Sequence, residues 1–132
     1  PFGHGLSYTE YSYSDLRCEG PGNFGAGDVL RFRVTVRNVG PRAGKEAVLL
    51  YSSDLVASLI PDVRRLRAFT KVALESGESR TVTFEVPASS LAFVGADGRW
   101  RLEEGDFRFS CGGLSVSLHC SETKIWDTPN IY

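Results

Sequence analysis

Residues Val29–Asn38 alternate without interruption: Leu30, Phe32, Val34 and Val36 stand between Arg31, Arg33, Thr35 and Arg37. Successive side chains of an extended strand point to opposite faces, so this period of two predicts one buried face and one wet face. Similar runs occupy 46–53, 64–72 and 79–86, the last with Val82, Phe84 and Val86 on one side. Each is bounded by turn residues, such as Asn38-Val39-Gly40-Pro41 and Glu75-Ser76-Gly77-Glu78. Sustained helical periodicity is absent, and residues 87–91 have room for one helical turn at most. Eight or so short strands separated by turn signals imply an all-β sandwich of two antiparallel sheets.

Two glycine-bearing dipeptides sharpen this reading. Gly112-Gly113 serves as a two-residue hairpin turn, a register that pairs Cys111 with Leu114, Phe109 with Val116 and Phe107 with Leu118. Arg108, Ser110, Ser115, Ser117 and His119 then share the opposite face, so turn chemistry and hydrophobic pattern agree. Asp97-Gly98 reads as a second two-residue turn, which sets Leu102 across from Phe93 and brings Trp100 and Leu91 to one side. In the first register Cys120 lies about 20 Å from the position opposite Cys111. A disulfide reaches only about 7 Å between Cα atoms, so Cys111 and Cys120 are expected as separate core thiols, with a bond from Cys18 to one of them left open.

The 132 residues suit one domain. The longest purely apolar run, 47–51, is far short of the about 20 residues of a membrane-spanning helix, so no membrane partner is expected. Acidic residues outnumber basic ones by 16 to 15, and the field that draws phosphate backbones is missing, which argues against nucleic acid. There is no methionine, and Pro1-Phe2-Gly3 opens with neither a basic nor an apolar leader, so the start is expected to be internal to a longer polypeptide. Residues 1–7 read as a lead-in, 1–120 as the sandwich, and 121–132 as an extended tail with Trp126, Ile131 or Tyr132 as anchors on a neighbouring surface.

Catalytic chemistry is hard to place. A glycosidase needs two carboxylates about 5–10 Å apart facing one sugar, and the only pair worth naming, Asp54 and Asp62, sits in an irregular segment where solvation is the simpler explanation. The histidines, His4 and His119, lack a nucleophile in a Gly-x-Ser-x-Gly elbow, and His119 beside Cys120 has the wrong spacing for zinc. No catalytic, cofactor-binding or metal-binding residue is therefore assigned. Arg64, Arg65 and Arg67 form the one dense basic cluster. They either guard a sheet edge against strand addition or bond carboxylates of another domain. The whole stretch 54–67 lacks strand alternation and carries Leu55, Val56, Leu59 and Ile60 among polar residues. Asp54, Leu55, Val56, Leu59, Ile60, Arg64, Arg65 and Arg67 are accordingly the candidate interdomain contact, an apolar centre ringed by polar groups.

One resemblance joins these features. Residues 1–9, Pro-Phe-Gly-His-Gly-Leu-Ser-Tyr-Thr, resemble the segment that leads into the C-terminal fibronectin type III-like domain of family 3 glycoside hydrolases, the β-glucosidases and β-xylosidases. Val36-Arg37-Asn38-Val39-Gly40, Ala43-Gly44-Lys45-Glu46, Leu50-Tyr51-Ser52-Ser53-Asp54, Gly77-Glu78-Ser79 and Glu104-Gly105-Asp106-Phe107 follow that domain's pattern in order. Leu55 and Ala68 depart from it, standing where the family often has proline and glycine. The resemblance implies a fibronectin type III-like, immunoglobulin-like sandwich without catalytic residues of its own. It further implies a periplasmic or secreted parent that hydrolyses β-glucosides or β-xylosides with retention, its catalytic domains upstream and in contact with this module. The alternative function, an independent carbohydrate-binding module with oligosaccharide as partner, requires an exposed aromatic row, for which Tyr8, Tyr13 and Trp126 are the candidates.

Overall fold

A computed structural model describes residues 10–55 and 64–127. The strands are β1 (Tyr11–Glu19), β2 (Asn23–Phe24), β3 (Val29–Asn38), β4 (Gly44–Asp54), β5 (Arg65–Leu74), β6 (Ser79–Pro87), β7 (Phe93–Val94), β8 (Trp100–Leu102), β9 (Gly105–Cys111), β10 (Leu114–Cys120) and β11 (Lys124–Ile125). A single 3-10 turn, Ala88–Leu91, falls in the stretch where one turn was expected. Two main sheets face each other, one ordered β1-β3-β6 and the other β2-β10-β9-β4-β5, with a small third sheet, β11-β8-β7. The pairing is antiparallel throughout these sheets except that β2 runs parallel to β10.

The alternation of β3 is realised in full: Leu30, Phe32, Val34 and Val36 are buried, while Arg31, Arg33 and Arg37 are exposed. From the opposite sheet Phe109 meets Phe32 with ring centroids 4.6 Å apart, and within its own sheet Phe107 lies 5.9 Å from Phe24. Tilted aromatic pairs of this kind add to the burial that holds two sheets face to face. A polar brace also crosses the sandwich, where the Tyr13 hydroxyl of β1 donates to Glu46 Oε2 of β4 at 2.6 Å. Asn38, fully buried, is held by its own turns: Nδ2 donates to the carbonyls of Arg42 and Leu74, and Oδ1 accepts from the amide of Gly40. Burying an amide is tolerable because it is bonded on both sides.

The β9–β10 hairpin has the expected register, Leu114 with Cys111, Val116 with Phe109 and Leu118 with Phe107. Gly112 and Gly113 have φ of 59° and 88°, left-handed values that favour glycine. At Gly112 a Cβ would also collide with the Tyr13 ring. Val116 differs from expectation in being half buried, at the outer margin of the core.

The second hairpin corrects the sequence reading by one residue. Arg101, not Leu102, lies opposite Phe93, and Trp100 lies opposite Val94. The loop is three residues long, because the Gly95 amide donates to the Arg99 carbonyl and the Gly98 amide closes a turn on Gly95. Gly98, at φ 79°, occupies the left-handed last position that such a loop requires. Cys18, Cys111 and Cys120 are all free, Cys18 half buried and the other two buried. Beyond Cys120 the chain runs extended against the sandwich as far as it is described. β11 pairs with β8, the Glu122 carboxylate accepts from the Ala26 amide at 2.6 Å, and Trp126 packs on the core of its own domain.

Candidate interdomain surface

β5 is the outer strand of the five-stranded sheet. The segment 54–67 leaves the end of β4 and returns along this edge, since Ser52 pairs with Arg65 across the two strands. Asp54, half buried, ends β4 opposite Phe107. Leu55 is 39% exposed, and its amide donates to the Asp106 carbonyl at 2.9 Å, carrying the ladder one residue past the strand. Val56, Leu59, Ile60 and Asp62 lie outside the described residues, as do His4, Tyr8, Ile131 and Tyr132.

The three arginines diverge in role. Arg64 is exposed, its guanidinium 4.7 Å above the Tyr51 ring in a cation–π stack. Arg65 is exposed at the start of the edge strand. Arg67 is an extra residue in the ladder, because pairing jumps from Leu50–Ala68 to Tyr51–Leu66. The bulge turns its side chain toward the domain, where Nε donates to Ser52 Oγ at 2.7 Å and an Nη donates to the Ser90 carbonyl at 3.0 Å. Burial, and after it the neighbouring Arg65, pushes its pKa down. Arg67 thus ties β4, β5 and the 3-10 turn together, whereas Arg64 and Arg65 face solvent.

The bulge also determines which residues share the outer face of β4–β5. Leu49 pairs with Phe69 and Tyr51 pairs with Leu66. Phe69 is 62% exposed and Leu66 49%, while Leu49 and Tyr51 are half covered. These four residues extend the apolar surface beyond the candidates named from sequence. Their signal was the odd parity of Leu49, Phe69 and Lys71 against the buried even positions Leu50, Val72 and Leu74, but the displaced Arg67 hides it.

Other chemistry is sparse. Among the described residues no three His, Cys, Asp or Glu side chains are grouped to hold a metal. His119 Nδ1 lies 2.8 Å from Asp106 Oδ1 in an exposed cross-strand pair. Of the aromatic row that a sugar platform would need, Tyr13 is half buried in its bond to Glu46, and Trp126 is half buried under the Lys124 ammonium, 5.7 Å from its ring.

The model of the fibronectin type III-like domain matches residues 46–115, more than half of the chain. The chain belongs to the fibronectin type III-like domain family. The domain is 39% identical over 127 residues to a protein named lysosomal β-glucosidase from Dictyostelium discoideum, an alignment covering 89% of the domain and 16% of that protein. It is 35% identical over 112 residues to a protein named periplasmic β-glucosidase from Salmonella typhimurium, covering 85% and 14%. The solved structure of a β-glucosidase from Erythrobacter marinus superposes with a TM-score of 0.78 at 37% identity, covering 91% of the domain and 16% of that chain. The domain therefore spans about one-sixth of the length of these relatives, and it corresponds to the C-terminal region of family 3 glycoside hydrolases.

Proposed function

We propose that this domain is a non-catalytic structural and interaction module of a retaining β-glucosidase or β-xylosidase, which packs on the catalytic domains of the same polypeptide through 54–67 and stabilises them. The carrying observation is one of proportion: nearly the whole domain aligns, yet it accounts for only 16% of relatives whose names are those of glucosidases. Retaining hydrolysis needs a nucleophile and an acid/base carboxyl about 5–5.5 Å apart. The described carboxylates that come together, Glu19 with Glu85 and Asp97 with Glu103, are exposed, and each pair shares one arginine, whose charge favours the ionised form of both members. Leu55 and Arg64, solvent-exposed at either end of the segment, supply the apolar and guanidinium groups enriched at interfaces. A periplasmic or exported parent fits relatives with periplasmic and lysosomal names. No cofactor is invoked.

The test compares amide exchange across 54–67 in the isolated chain and in the full-length polypeptide. Slower exchange in the full-length protein is expected, together with hydrolysis of aryl β-glucosides or β-xylosides by the full-length protein alone. Equal exchange in both would remove 54–67 from the interface, and turnover by the isolated chain that vanishes in Asp54→Asn would overturn the non-catalytic reading.

A further inference from the structure

The geometry points to the outer face of β4–β5, centred on Phe69, as the main docking surface for the catalytic part of the parent polypeptide, with 54–67 at its margin. This rests on the function proposed above and adds the location and chemistry of the contact. Three observations carry it.

The first is the apolar centre. Phe69 is the most exposed large hydrophobic among the described residues, and it sits directly across from Leu49, with Leu66 beside it across from Tyr51. Cross-strand neighbours on one face lie about 5 Å apart, so these side chains form one continuous patch. An edge strand ordinarily avoids such a surface.

The second is charge. Lys45 pairs with Ala73 and Lys71 with Ala47, which sets both ammonium groups on the same face as Phe69. Arg64 lies over Tyr51, its guanidinium taken up by the ring, and Arg65, which pairs with the buried Ser52, belongs to the other face. Among the described residues, Lys45 and Lys71 have no carboxylate partner. The surface is an apolar centre flanked by two lysines that no described carboxylate neutralises. Its partner must bring apolar side chains flanked by carboxylates.

The third is a contrast with the exposed Phe93 and Ile125 of the small sheet, which share one face on either side of Arg101. There the charges are satisfied within the domain: Arg101 bonds Asp97, Arg99 bonds Asp127, and Lys124 lies over Trp126. Nothing in that patch calls for an acidic partner. The β4–β5 face also adjoins both ends of 54–67, so one partner surface covers both.

The experiment is hydroxyl-radical footprinting of Phe69 and Leu66, run on the isolated chain and on the full-length polypeptide, with the double charge reversal Lys45→Glu and Lys71→Glu in each. Phe69 is expected to oxidise several-fold more slowly in the full-length protein, and the double reversal is expected to restore oxidation there while leaving the isolated chain's folding midpoint unchanged. Equal oxidation of Phe69 in both forms overturns the inference. If amide exchange at 54–67 still slows in the full-length protein, the proposed function survives that result, and if it does not, both fall. Protection of Phe69 in the isolated chain that grows with concentration identifies a second copy as the occupant and overturns the inference, as does protection that appears only with added oligosaccharide. A reversal that leaves Phe69 protected overturns the charge argument and the acidic partner with it.

Discussion

The two main sheets present very different faces to solvent. On the β1-β3-β6 sheet most cations are answered in place: Arg31 bonds Glu85 and Arg33 bonds Glu19, while Arg37 alone on that face of β3 has no carboxylate partner among the described residues, and Thr35 meets Thr81 across the strands. On the β4–β5 side Phe69 and Leu66 are open, and Lys45 and Lys71 have no carboxylate partner among the described residues. One face is polar and largely ion-paired, while the other exposes apolar groups whose most favourable surroundings are another protein surface. If the docking inferred above holds, the difference between the faces gives its direction.

The comparison can be broken at several points. The largest effect is expected in the core that backs both faces, where Phe109→Ala should cost about 3–5 kcal/mol in urea unfolding of the isolated chain. A cost near that of Ser117→Ala, within about 0.5 kcal/mol, would mean that the faces have been assigned from the wrong register. Next in size is Arg67→Ala, which removes two intradomain hydrogen bonds and should cost about 1–2 kcal/mol, reduced by partial solvent exposure. If that variant matched the parent in isolation and lost stability only in the full-length protein, Arg67 would move from the scaffold to the interface.

Alkaline pH probes the space between the faces. Burial, and after it the Glu46 carboxylate, pushes the Cys111 thiol up from 9.0 to about 11. An acid whose pKa rises on folding favours the protonated native state, so its contribution is whole below pH 9 and is lost as pH climbs to about 11. Tyr13 is raised as well, by burial first and then by its bond to Glu46, and it extends the loss to higher pH. Stability should therefore fall above pH 9, with a shallower decline between pH 9 and about 11 in Cys111→Ala; an unchanged slope would remove Cys111 from the account.

The smallest effects are the ones that distinguish the faces. Phe69→Ser should change the isolated chain by no more than about 0.5 kcal/mol, because the ring there already meets water. Its effect on the thermal midpoint of the full-length protein should be clearly larger. Arg31→Gln, on the ion-paired face, should leave both proteins indistinguishable from their parents.

What could be read in the sequence depended on how firmly local chemistry fixes register. The β9–β10 hairpin was legible residue by residue, because two left-handed glycines leave one turn that also buries Phe107 and Phe109. The β7–β8 hairpin contains a similar dipeptide, but Gly98 closes a three-residue loop instead, and the register moves by one. Nothing in Asp97-Gly98 alone separates the two turns. At 54–67 the sequence offered only failed alternation, and the bulge that reverses parity hid both the inward turn of Arg67 and the exposure of Phe69. The packing of 121–127 was also hidden, since Glu122 and Trp126 find their partners in distant parts of the chain.

The parallel pairing of β2 with β10 has a consequence in time. Gly22 and Phe24 offer their carbonyls to the amides of His119 and Ser121, and the Ala26 amide waits for Glu122, 96 residues later. At a synthesis rate of roughly 5–20 residues per second, that interval lasts on the order of 5–20 seconds on the ribosome. Through it, β3 and β6 can pair, but the N-terminal rim of the five-stranded sheet has no strand to join. Phe24 stays uncovered for most of the domain's synthesis, so the nascent chain's exposure to aggregation and to chaperones is set by the last strands to emerge.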